Sequence, residues 1–178
     1  MNPIEIIDKY YATMPELREL LLIHSKAVAA KARECAERRC LGVDLKFVEE
    51  AAMLHDIGIL HCNAPGIHCH GEFPYLCHGV EGRRMLEAEG LPRHALVCER
   101  HTGSGLRAID IEQLGLPLPV RDMLPLTTEE RLICYADKFF SKSGDPRREK
   151  TLAEVRRGIA RHGGDALERF DALHAEFG

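Results

Sequence analysis

The sequence predicts an all-α fold, and three observations lead to this prediction. Apolar residues recur at helical spacing through most of the chain, and the alternation typical of strands is nearly absent. Capping residues or prolines precede the periodic segments, and glycines follow several of them. A chain of 178 residues, 45% hydrophobic and 29% charged, has the size and composition of one globular unit, so we expect residues 1–178 to form a single domain.

Nine helices are predicted, separated by loops that are rich in proline and glycine. In chain order they cover about residues 3–11, 15–41, 44–55, 78–89, 92–102, 108–115, 127–143, 149–162 and 165–177.

The first three helices carry clear start and stop signals. Asn2 is a capping residue ahead of Pro3, and Asp44 caps the third helix. Gly42 and Gly58 are the expected stops of the second and third helices, because glycine readily adopts the left-handed conformation that ends a helix.

The later helices are bounded by the same chemistry. Gly90 and Gly103 are the expected stops of the fourth and fifth helices, and Thr127 begins a sequence typical of a capping box. The last two helices, over 149–177, are amphipathic, and we expect them to pack on a core formed by about residues 20–142.

Residues 59–77 lack helical periodicity, and a loop this long inside a compact domain is often functional. One interpretation of its Cys- and His-rich part, 61–77, is a lid over a site, whose His68 or His70 could touch substrate. The other is a separate zinc site, although the spacing does not match paired C-x2-C knuckles. The residues concerned are Cys62, His68, Cys69, His70 and Cys77.

Composition argues against several classes of protein. The net charge of −4 carries no global basic excess, so there is no nucleic-acid signature. No apolar window is long enough to span a bilayer and no signal pattern opens the chain, so we expect a soluble, cytoplasmic protein. Seven cysteines in such a protein do not indicate disulfides. The oligomeric state is left open, with a homodimer as one option.

Six residues typical of metal sites fall at the ends or inner faces of five predicted helices. Imidazole and carboxylate are the ligands that Fe, Mn, Zn and Ni share. Six ligands are too many for one catalytic metal with an open position, and they suit two metals that share one carboxylate. Asp56 is the best bridge, because it follows His55 and leads into a loop. The six are His24, His55, Asp56, His78, His101 and Asp137.

The order of these residues resembles the HD-domain superfamily of metal-dependent phosphohydrolases. Residues 55–58 read His-Asp-Ile-Gly, the HDIG form of that family. Residues 78–79 (His-Gly) and 100–103 (Arg-His-Thr-Gly) resemble its later histidine motifs, and 135–138 (Tyr-Ala-Asp-Lys) resembles its terminal aspartate motif. The resemblance runs from about residue 20 to 140 and implies a helical HD-domain bundle.

The resemblance also implies a role for each matching position. A first metal would be held by four residues, His24, His55, Asp56 and Asp137. A second metal would share Asp56 and be completed by His78 and His101. The chain thus resembles the branch that holds two divalent metal ions, for which we expect iron, with Mn, Ni or Zn as alternatives.

We therefore expect an enzyme, a hydrolase of phosphoric esters or anhydrides that acts on a small, nucleotide-like, phosphorylated substrate. A metal-bridged hydroxide would attack phosphorus, with Asp56 and His55 as the catalytic residues. An anionic substrate also needs cations, and Arg83 and Lys142 are the candidates by position.

Two alternatives remain open. Mixed-valence diiron oxygenases of the HD fold share this ligand set, and those resembling phosphonate oxygenases carry a Tyr and a Glu shortly before the first His. This chain has Tyr10, Tyr11 and Glu16 upstream of His24, at a spacing that is not a clear match. The other alternative is a non-catalytic metal-binding HD module, against which the retention of all six ligand positions argues.

Overall fold

The computed structural model describes residues 1–178 as nine α-helices with one small sheet, which confirms the all-α prediction. None of these helices combines the length and hydrophobicity that a bilayer crossing requires. The helices are α1 (Pro3–Tyr11), α2 (Pro15–Arg38), α3 (Leu45–Leu54), α4 (His78–Ala88), α5 (Pro92–Arg100), α6 (Ala108–Gln113), α7 (Thr128–Asp137), α8 (Leu152–Ala160) and α9 (Ala166–Phe177). The strands are β1 (Cys62–Ala64), β2 (Cys69–His70) and β3 (Phe73–Pro74).

The predicted capping residues act as caps. The side chains of Asn2, Asp44 and Thr127 each accept a hydrogen bond from a backbone N–H in the first turn of the helix that follows. Gly90 and Gly103, which follow α4 and α5, have positive φ angles of 72° and 60°. Local chemistry therefore decides where these three helices begin and where α4 and α5 end.

Two helices end at least three residues earlier than the sequence predicted. α2 ends at Arg38 rather than near Gly42, because Cys40 already adopts a left-handed conformation with φ of 51°. α7 ends at Asp137, and the segment after it is irregular. There, the backbone and side-chain nitrogens of Lys150 donate to the carbonyls of the two phenylalanines that follow the helix, so these carbonyls bond outside any helix.

Gly58 is not the C-terminal stop of α3 that the sequence predicted. It lies in a 3-10 turn over Ile57–His61, pressed against the start of α4. A Cβ atom on Gly58 would lie 2.2 Å from the carbonyl oxygen of His78 and 2.3 Å from the backbone nitrogen of Gly82. The missing side chain therefore brings the backbone next to Asp56 into direct contact with α4.

The long loop is ordered by the small sheet. β1 pairs antiparallel with β2, placing Asn63 opposite His70, and parallel with β3, placing Cys62 opposite Phe73. Short 3-10 turns fill the intervals, so the segment is built from regular pieces that are too short to give a periodic sequence signal.

Two buried apolar clusters share α2. Leu21 belongs to the cluster with α1, α3, α4 and α5, whereas Val28 belongs to the cluster with α3, α7, α8 and α9. His24 lies between them on the same face and is fully buried. Phe170 and Phe177 of α9 are buried in the second cluster, so the C-terminal helices pack on the helices that carry the histidines.

We predict that Gly58→Ala destabilises the protein by about 1–3 kcal/mol, because an added Cβ would overlap backbone atoms that cannot move independently. Urea unfolding of chelator-treated protein measures this. Gly42→Ala is the matched control, since a Cβ there meets nothing within 4 Å. Equal unfolding midpoints for the two variants would contradict the close approach at Gly58.

Candidate metal centre

Five separate segments bring the six predicted ligands to one place in the interior. His24 lies in the middle of α2, the His-Asp pair follows α3, and the others stand at the ends of α4, α5 and α7. Every one is at most 9% exposed. The six are His24, His55, Asp56, His78, His101 and Asp137.

A first group of four ligands surrounds one point. His24 Nε2 lies 3.0 Å from Asp137 Oδ1 and 3.1 Å from Asp56 Oδ2. His55 Nε2 lies 3.0 Å from the same Asp56 oxygen and 3.4 Å from Asp137 Oδ1. One ligand atom from each of the four lies within 4.8 Å of all the others, which is the spacing that a single cation requires.

A second group of three shares Asp56 with the first. His78 Nε2 and His101 Nε2 are 3.1 Å apart and lie 3.5 and 3.4 Å from Asp56 Oδ1. Asp56 therefore turns one oxygen to each group. This is the geometry of a carboxylate that bridges two cations.

Backbone carbonyls fix which nitrogen of three histidines faces the centre. The Nδ1–H groups of His55, His78 and His101 each donate to the carbonyl three residues earlier, at 2.6, 2.7 and 2.7 Å. A carbonyl only accepts, so Nδ1 carries a proton and Nε2 faces the centre, where it presents a lone pair when the ring is neutral. The lone pairs of His78 and His101 thus face each other at 3.1 Å, an arrangement that a cation between them would stabilise.

Burial and charge shift the pKa values within the centre in opposite directions. Burial lowers the pKa of His78 to about 3. Burial would also lower the pKa of His55, but Asp56 and Asp137 raise it to about 9. Burial would raise the pKa of Asp56, but His55 and Lys142 hold it well below its usual value. The centre therefore keeps its carboxylate charged and attracts positive charge.

The donor set fits a pair of divalent metal ions. His55 Nε2 and both oxygens of Asp56 are buried without a hydrogen-bond partner, and such unpaired buried polar atoms are costly. The ammonium of Lys142 lies 2.5 Å from Asp56 Oδ2 as an ion pair, without ordinary hydrogen-bond geometry. Imidazole nitrogen with carboxylate oxygen suits Fe, Mn, Ni or Zn.

A cleft of about 1220 Å³ opens beside the second group and runs under the C-terminal helices. His78, His101 and Asp137 line its inner end, next to Lys138 and Lys142. The metal centre is therefore accessible from a space large enough for a nucleotide-sized molecule.

Two residues beside the ligands were not singled out from the sequence. Lys138 Nζ donates to Asp137 Oδ2 at 2.7 Å and to the His101 carbonyl at 2.9 Å, which leaves Asp137 Oδ1 to face the first group. The ring of Tyr75 stacks on His78 with centroids 4.8 Å apart. The position of Lys138 directly after Asp137 was an available signal, whereas the contact of Tyr75 depends on the folded loop.

The four predicted substrate contacts lie in different places. Lys142 lies at the metal centre and lines the cleft. Arg83 lies outside the cleft lining, where it forms ion pairs with Glu87 and Glu99. His68 and His70 also lie outside the lining, and the former is 3.5 Å from Glu16. Of these candidates, position therefore favours Lys142 alone.

The long loop contributes residues to the cleft lining, but its histidines are not among them. Ile67, Tyr75 and Leu76 line the cleft, in agreement with the lid interpretation. The thiols of Cys62 and Cys69 lie against backbone carbonyls, and burial raises their pKa values to about 12 and about 11. The cysteines and histidines of this loop belong to no group with metal-ligand spacing, so the zinc interpretation has no geometric support.

A sequence model of the HD domain family matches residues 21–141, well over half of the chain. An uncharacterized protein of Methanocaldococcus jannaschii is 34% identical over 123 residues, which cover 67% of this chain and 65% of that protein.

Two further relatives carry the name tRNA (cytidine(56)-2'-O)-methyltransferase. The protein of Picrophilus torridus is 31% identical over 124 residues, covering 69% of this chain and 32% of the relative. That of Thermoplasma volcanium is 31% identical over 173 residues, covering 96% of this chain and 44% of the relative. This chain thus spans less than half of these relatives, and their named activity is that of the whole proteins.

Among solved structures, the HD domain of the phosphodiesterase PgpH from L. monocytogenes is similar, with a TM-score of 0.58 at 19% identity, covering 96% of this chain and 87% of that one. A structure of the same domain in complex with cyclic-di-AMP has a TM-score of 0.55 at 17% identity, covering 96% and 94%. At these identities the likeness shows a shared fold.

We predict that Asp56→Asn weakens metal binding at both groups by more than about tenfold, because this residue gives one oxygen to each. His101→Ala should weaken binding at the second group only. Metal titration followed by elemental analysis of the bound ions measures both effects. His70→Ala, at an exposed histidine outside both groups, is the control. A variant at position 56 that retains both ions would contradict the bridging arrangement.

We predict that metal uptake at the first group releases a proton below about pH 9, because the raised pKa of His55 keeps it protonated without metal. Apparent Mn²⁺ affinity should then rise about tenfold per pH unit between about pH 6 and 8. Calorimetry in buffers of different ionisation enthalpy measures the proton release. His78, whose pKa of about 3 keeps it neutral, adds none. A pH-independent affinity over this range would contradict the prediction.

Proposed function

Because the chain belongs to the HD domain family, we propose that it is a metal-dependent phosphohydrolase acting on a small nucleotide-like molecule. It would cleave a phosphoester or a phosphoanhydride. The observation that carries this proposal is the pair of ligand groups joined by one buried carboxylate, beside a cleft with cationic walls. Such a pair of cations, for which we propose iron, would polarise a phosphoryl oxygen and acidify water at neutral pH.

The residues of the chain would prepare this chemistry in distinct ways. Asp56 is charged and directs one oxygen toward each ligand group. The Ala52 carbonyl accepts a hydrogen bond from His55 Nδ1 and so orients the His55 ring toward the same carboxylate. Burial excludes bulk water from these ligands, which strengthens every electrostatic interaction among them. Lys138 keeps Asp137 oriented, and Lys142 offers an ammonium group at the mouth of the centre.

Lys142 is proposed to bind the phosphoryl group that is cleaved. Its side chain is only 11% exposed at the inner end of the cleft, and its Nζ lies 2.5 Å from Asp56 Oδ2 and 6.0 Å from the centre of the Tyr75 ring. Cations bound at Asp56 would repel this ammonium, and a substrate phosphate beside them would attract it. The residue is therefore well placed to contact an anion that spans the two metal groups.

The comparisons support a nucleotide phosphodiester as the substrate class. The similar domain of PgpH belongs to a named phosphodiesterase, and one of its structures contains cyclic-di-AMP. A cleft of about 1220 Å³ is ample for a dinucleotide.

The positions of Tyr10, Tyr11 and Glu16 do not support the oxygenase alternative. The hydroxyl of Tyr11 donates to the Ile57 carbonyl, and that of Tyr10 donates to Glu89. Glu16 faces His68 at the surface. None of these side chains belongs to either ligand group, so hydrolysis remains the proposal.

The test is turnover of a panel of phosphodiesters and phosphoanhydrides by protein loaded with Fe²⁺ or Mn²⁺ under anaerobic conditions. We expect release of nucleotide or phosphate from at least one of them, and none from the Asp56→Asn variant. Lys142→Met should lower kcat/KM by about tenfold or more, because it removes a charge-assisted contact to phosphate. Lys46→Met, at an exposed lysine of α3, is the matched control.

Absence of turnover across the panel with fully loaded protein would overturn the hydrolase proposal. Equal effects of Lys142→Met and Lys46→Met on kcat/KM would contradict the proposed role of Lys142.

A further inference from the structure

The cleft extends well beyond the metal centre. From His101 and Asp137 it continues to the turn between α8 and α9, where Arg161 and the residues after it form its far end. Lys150 lines the cleft between these two ends. A ligand that occupied only the metal centre would leave most of this space unused.

The charges along the cleft are unevenly paired. Each acidic side chain in the lining has an arginine or lysine partner at 2.6–2.7 Å, and Arg107 pairs with two of them. These pairs are Asp110–Arg107, Asp165–Arg107, Asp137–Lys138 and Glu154–Arg148. Lys150 and Arg161 line the same cleft without a carboxylate partner. Arg169 also lines the cleft and lies 3.8 Å from Asp110 and 4.0 Å from Asp165, so Lys150 and Arg161 are the lining cations that have no carboxylate within ion-pair distance.

Lys150 is a partly buried cation whose partners are all neutral. Its Nζ donates to the Phe140 carbonyl at 3.1 Å and to the Lys138 carbonyl at 3.5 Å. Burial lowers the pKa of its ammonium group. A lysine has three N–H donors, so one remains for a ligand, and an anion would offset the cost of burying the charge.

The same carbonyls tie Lys150 to the metal centre. Phe140 and Lys138 belong to the short irregular segment that runs from Asp137 to Lys142. One segment therefore presents a metal ligand, the ammonium of Lys142 and the anchor of Lys150. This arrangement places two cationic positions along one cleft and ties both to the same segment.

We propose that Lys150, assisted by Arg161, forms a second anion subsite for a phosphate other than the one cleaved. This inference rests on the proposed function and narrows its substrate to molecules with two separated phosphate groups. The phosphate at the metal pair would react, and the other would hold the substrate in register. A molecule with a single phosphate would bind only the inner end.

The test uses ligands that cannot be hydrolysed. Calorimetry compares alkylphosphonates with α,ω-bisphosphonates of the same chain length, over a series of lengths, on the Mn²⁺-loaded protein. At one chain length or more we expect the bisphosphonate to bind at least about tenfold more tightly than the alkylphosphonate. The second phosphonate adds a charge-assisted contact without a second loss of translational and rotational entropy. Lys150→Met should reduce this preference to within about twofold, whereas Lys150→Arg should retain it.

Two further variants keep the result interpretable. Arg161→Met changes an exposed residue, so it tests the subsite even where Lys150→Met fails to fold, as circular dichroism would reveal. Lys46→Met should leave the preference unchanged.

Equal binding of the two ligand types at every length, or a preference that survives both cleft substitutions, would overturn the subsite. Turnover of phosphoesters is measured separately. If the protein hydrolyses phosphoesters but shows no preference for bisphosphonates, only the subsite proposal is rejected. If it shows a preference that depends on Lys150 but no turnover, only the hydrolase proposal is rejected.

Discussion

The charge of Asp56 is the constraint on which the rest of this site depends. Its carboxylate is fully buried, both oxygens lack hydrogen bonds, and four imidazoles and one ammonium surround it. A buried anion with orphaned acceptors is stable only next to positive charge. The protein raises the pKa of His55 and places Lys142 against the carboxylate, and both observations describe a site that is built to receive cations.

The helical bundle acts as a rigid frame for this anion. α2 joins the two apolar clusters and carries His24 at their junction, so the ligand cannot shift without disturbing both cores. Three other histidines are oriented by backbone carbonyls one turn earlier, which removes their rotational freedom. Gly58 allows the backbone beside Asp56 to touch α4, so the first and second ligand groups are held at a short, fixed separation.

The irregular segment after α7 connects this frame to the cleft. Lys138 orients a ligand, Lys142 faces the bridging carboxylate, and Lys150 is anchored to the carbonyls between them. The three lysines therefore differ in environment although they are close in sequence. A helix that continued to Gly144 would have engaged these carbonyls in its own backbone hydrogen bonds.

The sequence by itself determined the helical class, several helix ends and the six candidate metal ligands, because these depend on local signals: periodicity, capping residues and a distinctive order of His and Asp. It did not determine that Gly58 is a packing glycine, that α7 stops at Asp137, or that Arg83 is engaged by Glu99 while Lys142 reaches Asp56. Those outcomes are set by contacts between residues far apart in the chain. Only the tertiary structure decides them, because the close approach of two backbones and the choice of a carboxylate partner for a cation produce no periodic pattern in the sequence.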